Sequence, residues 1–154
     1  MTGSSPEIRA VDWGDADATR LRAAQEAEIR DRYQVDDPEP GIHPSAADMT
    51  SFFVAYVDGE AAACGGLRAI DAEHGEIKRM YVTPGRRGSG LAPAILGALE
   101  DDGRSRGWTR IVLETGTGQP EAVRFYEREG YTAIPPFGHY IGEPTSLCFE
   151  KVLG

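Results

Sequence analysis

The sequence predicts one mixed α/β sheet with the element order β-α-β-β-β-α-β-α-β-β. Three observations predict it. Strand-like and helix-periodic segments alternate along the chain. An Asp58-Gly59 pair separates two strand-like runs, the signal of a tight hairpin. The chain has 154 residues, 40% of them hydrophobic and 27% charged. That size and balance suit a single domain, expected over residues 1–154, whose core needs neither metal nor disulfide.

A short strand over residues 8–12 opens the order. Asp15 or Asp17 then caps a helix running to about Tyr33, with Ala18, Leu21, Ala24 and Ile29 as a weak apolar stripe. The stretch Asp36-Asp37-Pro38-Glu39-Pro40-Gly41 cannot continue a helix and reads as a loop suited to substrate contacts. Residues 51–57, SFFVAYV, and residues 60–70 form the hairpin strands. Gly65 and Gly66 in the second strand suggest a bulge or a close backbone approach. A turn at Glu73-His74-Gly75 leads to a strand over residues 76–82. Leu91, Ala94, Ile95, Ala98 and Leu99 then mark one face of a helix. It ends in the glycine-bearing segment 103–107. A strand over 111–114 follows. Pro120 starts a helix continuing over 121–129, and Gly130 stops it. Strands over 131–134 and 145–152 close the order, with a turn at Pro135-Pro136-Phe137-Gly138 between them.

The net charge is −9, and the first 60 residues carry 13 acids against 5 bases. That acidity disfavours nucleic acid and suits a cationic partner. No apolar run is long enough to predict a membrane helix, and the N-terminus lacks the pattern of a secretory leader. Cys64 and Cys148 lie far apart in strand-like segments and read as reduced, buried thiols of a cytoplasmic protein. His43, His74 and His139 have no metal-ligand spacing, so no metal is expected.

The segment that carries chemistry is Val82-Thr83-Pro84-Gly85-Arg86-Arg87-Gly88-Ser89-Gly90-Leu91-Ala92, between a strand and an amphipathic helix. Gly88 and Gly90 allow a tight backbone. The first helical turn leaves N–H groups unpaired, which with the helix dipole makes an anion site suited to phosphate. Arg86 and Arg87 add positive charge there. There is no Gly-Lys-Ser/Thr, so this is not a P-loop, and the third glycine of a dinucleotide fingerprint is missing.

Val82-x-Pro84 followed by Arg87-Gly88-Ser89-Gly90-Leu91-Ala92 resembles the signature of the GNAT superfamily of acyl-CoA N-acyltransferases. The downstream Gln119-Pro120-Glu121-Ala122-Val123-Arg124-Phe125-Tyr126-Glu127-Arg128-Glu129-Gly130-Tyr131 is similar to that family's second signature. The likeness runs from about residue 51 to 151. It implies a mixed central sheet of six to seven strands flanked by about four helices. It implies that Arg87, Gly88, Ser89, Gly90, Leu91 and Ala92 bind the pyrophosphate of acetyl-CoA. Met80, Tyr81 and Val82 would pair edge-on with the pantetheine arm. Gln119 stands where many members carry Asn. Tyr126 matches the tyrosine that protonates the departing thiolate, a task that suits a phenol.

The general base stays open at this stage. The spacing of Glu76 to Val82 matches the catalytic glutamate of the family's histone-acetylating branch, Glu114 is a second candidate, and deprotonation through water is a third route. Strand alternation predicts that Glu76, Lys78, Met80 and Val82 share one face, with Ile77, Arg79 and Tyr81 on the other. His139 and Tyr140 are placed to overhang the acceptor. Glu28, Arg32 and Tyr33 end the helix from which the family builds its acceptor pocket, and Arg68 and Arg79 are candidates to hold a substrate carboxylate. The resulting expectation is an acetyl-CoA-dependent N-acetyltransferase acting on a small or amino-acid-like amine by direct attack in a ternary complex, with a homodimer possible at a sheet edge. The rivals are a protein lysine or N-terminal acetyltransferase and a non-catalytic coenzyme A-binding module.

Overall fold

The computed structural model describes residues 5–34 and 44–154. His43 and the acidic proline-containing loop at 36–41 lie outside them. The described elements are strands β1 (Glu7–Ala10), β2 (Ser51–Val57), β3 (Glu60–Ala69), β4 (His74–Val82), β5 (Arg110–Gly116), β6 (Thr132–Ile134) and β7 (Ser146–Val152), with helices α1 (Ala16–Tyr33), α2 (Leu91–Ser105) and α3 (Pro120–Arg128). Two short 3-10 turns, Pro84–Arg86 and Gly138–Tyr140, complete the list. The family likeness implied about four helices. The described residues hold three, and residues 44–50 between α1 and β2 form only a turn, tied by Asp48 accepting from the Ser45 N–H at 2.7 Å.

The strands form one seven-stranded sheet in the order β1-β2-β3-β4-β5-β7-β6. All neighbours are antiparallel except β4 and β5, which pair in parallel from His74↔Arg110 to Ile77↔Leu113. Past Ile77 the two strands part. That divergence opens a gap between β4 and β5.

Local sequence explains the elements. Asp58 (φ 52°) and Gly59 (φ 81°) both take the left-handed conformation that a two-residue hairpin turn requires. Asp15 caps α1 by accepting from the Ala18 N–H at 3.1 Å. The apolar stripe of α1 is narrower than its sequence suggests. Ala18 and Leu21 are buried, Ala24 is exposed, and Arg22 takes a buried place with its guanidinium 3.5 Å above the Trp13 ring. On α2, Leu91, Ile95 and Leu99 are buried as the period predicts. They join Ile77, Leu113, Tyr126, Tyr131 and Phe149 in the main core, which α3 also covers. A smaller core of Ala18, Leu21, Phe52, Val54 and Cys64 lies under α1 on the opposite face. Both cysteines are buried and free.

Two sheet details differ from simple alternation. The β3–β4 register shifts between Cys64 and Gly66, and Arg79 opposite that shift sits at φ 64°. This bulge inserts one residue and reverses which face later side chains occupy. Met80 and Val82 therefore pack with Ile77 on the α2 face, while Tyr81 joins Glu76 and Lys78 on the α1 face. The expectation that Glu76, Lys78, Met80 and Val82 share a face fails for that reason. The glycines of β3 do mark close approach. A Cβ on Gly65 would lie 2.7 Å from Met80 Sδ, and one on Gly66 2.6 Å from the Phe52 ring. The turn before β4 falls at residues 70–73, so β4 begins at His74, two residues earlier than expected. There His74 Nδ1 and Asp71 bond at 2.9 Å.

Candidate active site

The glycine turn comes directly after β4. Gly88 (φ 78°) and Gly90 (φ 89°) both take conformations that disfavour any side chain, and Gly90 is the N-cap of α2. The first helical bond runs from the Ala94 N–H to the Gly90 carbonyl at 3.2 Å. The Leu91 and Ala92 N–H groups therefore have no intrahelical acceptor, and Pro93 has none to leave idle. Ser89 donates its hydroxyl to the Arg86 carbonyl and holds the turn closed. A 15-residue helix with idle donors at its start is a fitting cradle for a pyrophosphate.

Beside the turn lies the open edge of β4. The Thr83 N–H donates to Ala62 of β3 at 2.9 Å, so by alternation the main-chain groups of Met80 and Val82 point away from β3, into the gap beside β5. Two side chains already reach them. Gln25 of α1 donates to the Met80 carbonyl at 2.7 Å, and Arg87 Nε donates to the Val82 carbonyl at 3.0 Å. The other end of the Arg87 guanidinium binds Glu28 of α1 at 2.7 Å. Arg32 pairs with Glu121 at the start of α3, and the Tyr33 hydroxyl accepts from the Gly118 N–H at 3.0 Å. The end of α1 thus straps the glycine turn to α3 across the mouth of the gap. Gln119, at the N-cap of α3, donates its main-chain N–H to Gly116 at 3.0 Å.

Tyr126 projects from α3 into the main core. It is 6% exposed, with its ring 5.6 Å from Tyr131. Its hydroxyl has no hydrogen-bond partner among the described residues. Burial pushes its phenol well above the usual tyrosine range, so it stays protonated at neutral pH.

The α1 face of the central strands is polar. Glu76 is completely enclosed. Its Oε1 accepts from Arg68 at 2.5 Å and its Oε2 from the Tyr140 hydroxyl at 2.7 Å. Lys78 in turn donates to that hydroxyl at 2.8 Å. Tyr140, itself fully buried, is the hub that pins the 138–140 turn to the sheet. On β5, Glu114 is half-buried and accepts from the Ser146 hydroxyl at 2.7 Å. Arg68 and Arg79, candidates for a substrate carboxylate, engage Glu76 and Glu26 respectively. Sequence reasoning missed Gln25 and Ser146, and it read Tyr140 as overhanging the acceptor without its bridge to Glu76 and Lys78. Each acts through a contact to a residue 32 or more positions away, so no local pattern marks it.

Comparison with known proteins agrees with this geometry. The family model for the acetyltransferase (GNAT) family matches residues 15–131. The chain is 39% identical over 104 residues to the IAA acetyltransferase of Azospirillum brasilense, covering 66% of this chain and 67% of that protein. The fold matches a Klebsiella pneumoniae structure assigned as an acyl-CoA N-acyltransferase, with TM-score 0.82, 30% identity and coverage of 97% and 98% of the two chains. It also matches a GNAT family acetyltransferase from Elizabethkingia anophelis with acetyl-CoA bound, at TM-score 0.71 and 16% identity over 96% and 98%. The chain belongs to the acetyltransferase (GNAT) family. It is an acyltransferase, and acetyl-CoA is the acyl donor the family uses. Among the described residues no group of side chains is arranged to hold a metal, and no helix is long and apolar enough to cross a membrane.

Proposed function

We propose that this chain, as one domain over residues 1–154, moves the acetyl group of acetyl-CoA to the amine of a small-molecule acceptor by direct attack in a ternary complex. The observation that carries the reading is the parting of β4 from β5 beside the glycine turn. One end of the gap offers main-chain N–H groups for the pyrophosphate at Gly88, Ser89, Gly90, Leu91 and Ala92, beside Arg87, whose own N–H is taken by the Pro84 carbonyl. The strand Met80-Tyr81-Val82 offers main-chain groups for the amide-bearing arm, once Arg87 and Gln25 yield them, and Gln119 closes the far side. Tyr126 is the acid for the departing sulfur, by its place in the family's second signature on α3, and its buried phenol carries a proton at neutral pH. Glu76, a candidate base from its strand position, is sealed by Arg68 and Tyr140 and reaches an amine only through Tyr140. The acidic first third of the chain suits an ammonium. The relative named for IAA acetylation supports a small acceptor. A cytoplasmic location and a sheet-edge homodimer belong to the same reading.

Calorimetric titration with acetyl-CoA tests it. One-to-one micromolar binding that is lost when Gly88 and Gly90 are both changed to Val is the expected result. No binding at millimolar acetyl-CoA would remove the donor, and the reading with it.

A further inference from the structure

The last half of α1 turns a polar face to the gap between β4 and β5. Gln25, Glu28, Arg32 and Tyr33 fall at i, i+3, i+7 and i+8, so they share one side of the helix. A helix that packs on a sheet usually turns apolar residues inward. Here the four side chains instead reach both lips of the gap. On the β4 lip, Gln25 Nε2 donates to the Met80 carbonyl at 2.7 Å. Glu28 accepts from Arg87 at 2.7 Å, and Arg87 Nε donates to the Val82 carbonyl at 3.0 Å. On the other lip, Arg32 donates to the Gly118 carbonyl at 3.3 Å and to Glu121 at 2.7 Å, and the Tyr33 hydroxyl accepts from the Gly118 N–H at 3.0 Å. The fit there is close: a Cβ on Gly118 would lie 2.8 Å from the Tyr33 ring. The Gln25 amide is only half satisfied. Its nitrogen is the atom that can donate to a carbonyl, so Oε1 faces away from Met80, and Oε1 is buried with no hydrogen-bond partner. A buried acceptor without a donor is a cost that this closed arrangement bears and an open one does not.

We infer that this face of α1 is the chain's own stand-in for the donor's arm, an internal contact that acetyl-CoA displaces as it binds. The inference rests on the reading above that the arm pairs along Met80-Tyr81-Val82. The arm carries amide N–H groups, and the carbonyls it would meet on the open edge of β4 are those of Met80 and Val82. In the free protein an amide N–H from Gln25 and a guanidinium N–H from Arg87 already hold both. The replacement is like for like, one N–H donor for another at a main-chain carbonyl of an open strand edge. Arm and side chain compete for the same space, so the Gln25 bond breaks before the arm pairs, and its strength is subtracted from the donor's affinity. Arg32 and Tyr33 fasten the end of α1 to the far lip and raise the cost of moving Gln25 aside. The nucleotide end of the donor meets the glycine turn and requires no displacement of Gln25. The Gln25 contact therefore opposes the arm and not the nucleotide.

Calorimetry with two ligands separates arm from nucleotide. Acetyl-CoA carries both. Adenosine 3′-phosphate 5′-diphosphate carries the nucleotide and pyrophosphate without the arm. Gln25→Ala removes the donated N–H and suits a helix. In that variant acetyl-CoA is expected to bind about three-fold to ten-fold tighter, the weight of one hydrogen bond, while the armless nucleotide binds as it does to the parent protein. Tyr33→Phe keeps the ring beside Gly118 and drops the hydroxyl. It is expected to tighten acetyl-CoA in the same selective way, by less than Gln25→Ala does, and it reads the same competition should the Ala variant not fold. A cooperative thermal transition in each variant shows that the fold survives. Weaker acetyl-CoA binding in Gln25→Ala overturns the inference, because Gln25 would then be part of the donor's site. Unchanged binding overturns it as well, because the contact would then not oppose the arm. Equal tightening of both ligands overturns it too, since the effect would then lie at the glycine turn. A parent protein that binds no acetyl-CoA at millimolar concentration overturns the donor reading on which the inference rests. A parent protein that binds acetyl-CoA, with no selective gain in either variant, overturns the inference alone.

Discussion

At the scale of single residues, the site is built from side chains whose surroundings decide their chemistry. Tyr126 and Tyr140 are both buried tyrosines. The Tyr140 hydroxyl is bonded to Glu76 and Lys78 and serves as a structural bridge. Tyr126 packs among the apolar and aromatic residues of the main core, and in the proposed reaction its proton goes to the departing sulfur. Changing Tyr126 to Phe keeps the ring and removes the proton. The expected result is a fall in kcat of about 100-fold, the low end of the effect of losing a positioned acid, with acetyl-CoA affinity unchanged by calorimetry. An unchanged kcat would take Tyr126 out of the reaction. The motif Gln119-x-x-Ala122-x-x-x-Tyr126 made this residue legible in sequence. Tyr140 carried no such mark, because its importance comes from β4 side chains 62 and 64 positions away.

At the scale of elements, the end of α1 works against the glycine turn. Glu28 holds the Arg87 guanidinium at 2.7 Å and leaves a negative charge beside the place for a pyrophosphate. Both side chains are partly exposed, at 43% for Arg87 and 32% for Glu28, so their pairing contributes no more than about 1 kcal/mol to stability. Its larger effect falls on the donor. Glu28→Gln removes the competing charge and is expected to tighten coenzyme A binding several-fold at low salt, with the difference shrinking as salt screens it. Weaker binding by Glu28→Gln would mean that the strap itself organises the site. The sequence showed that a helix ends near Tyr33 and that Arg87 opens the phosphate turn. It did not show that the two meet, because 59 residues separate Glu28 from Arg87 and only the packing of α1 over β3 and β4 brings them together.

At the scale of the whole molecule, burial links proton binding to stability. Burial pushes the Cys64 thiol from its ordinary value near 9 to about 12, and pushes the Tyr126 and Tyr131 phenols upward, with Glu100 adding to the rise at Tyr131. In the unfolded chain these groups lose their protons at lower pH than in the folded one. The folded state then binds more protons, so stability is full below about pH 9 and falls as the pH climbs toward 12. Each group contributes a slope of about 1.4 kcal/mol per pH unit within its window. Urea denaturation between pH 7 and 11 is expected to show a midpoint that holds to about pH 9 and then declines. In Cys64→Ala the decline should begin later. A midpoint independent of pH would show that these groups are not buried as described.

The order of elements, the hairpin at Asp58-Gly59, the α2 core face and the position of the glycine turn were all legible in the chain. All of these rest on neighbours along the chain: a turn that needs positive φ, a 3.6-residue period, a helix start with idle N–H groups. Which faces the β4 side chains occupy became visible only once the strands were paired. One inserted residue at Arg79 reverses the alternation after it, and Met80 and Val82 pass to the α2 face. The same structure sealed Glu76 and left Glu114 half-buried against Ser146. That difference depends on Arg68, Tyr140 and Ser146, which reach these carboxylates across the sheet, and access to a carboxylate is a property of what packs over it rather than of the residues beside it in the chain.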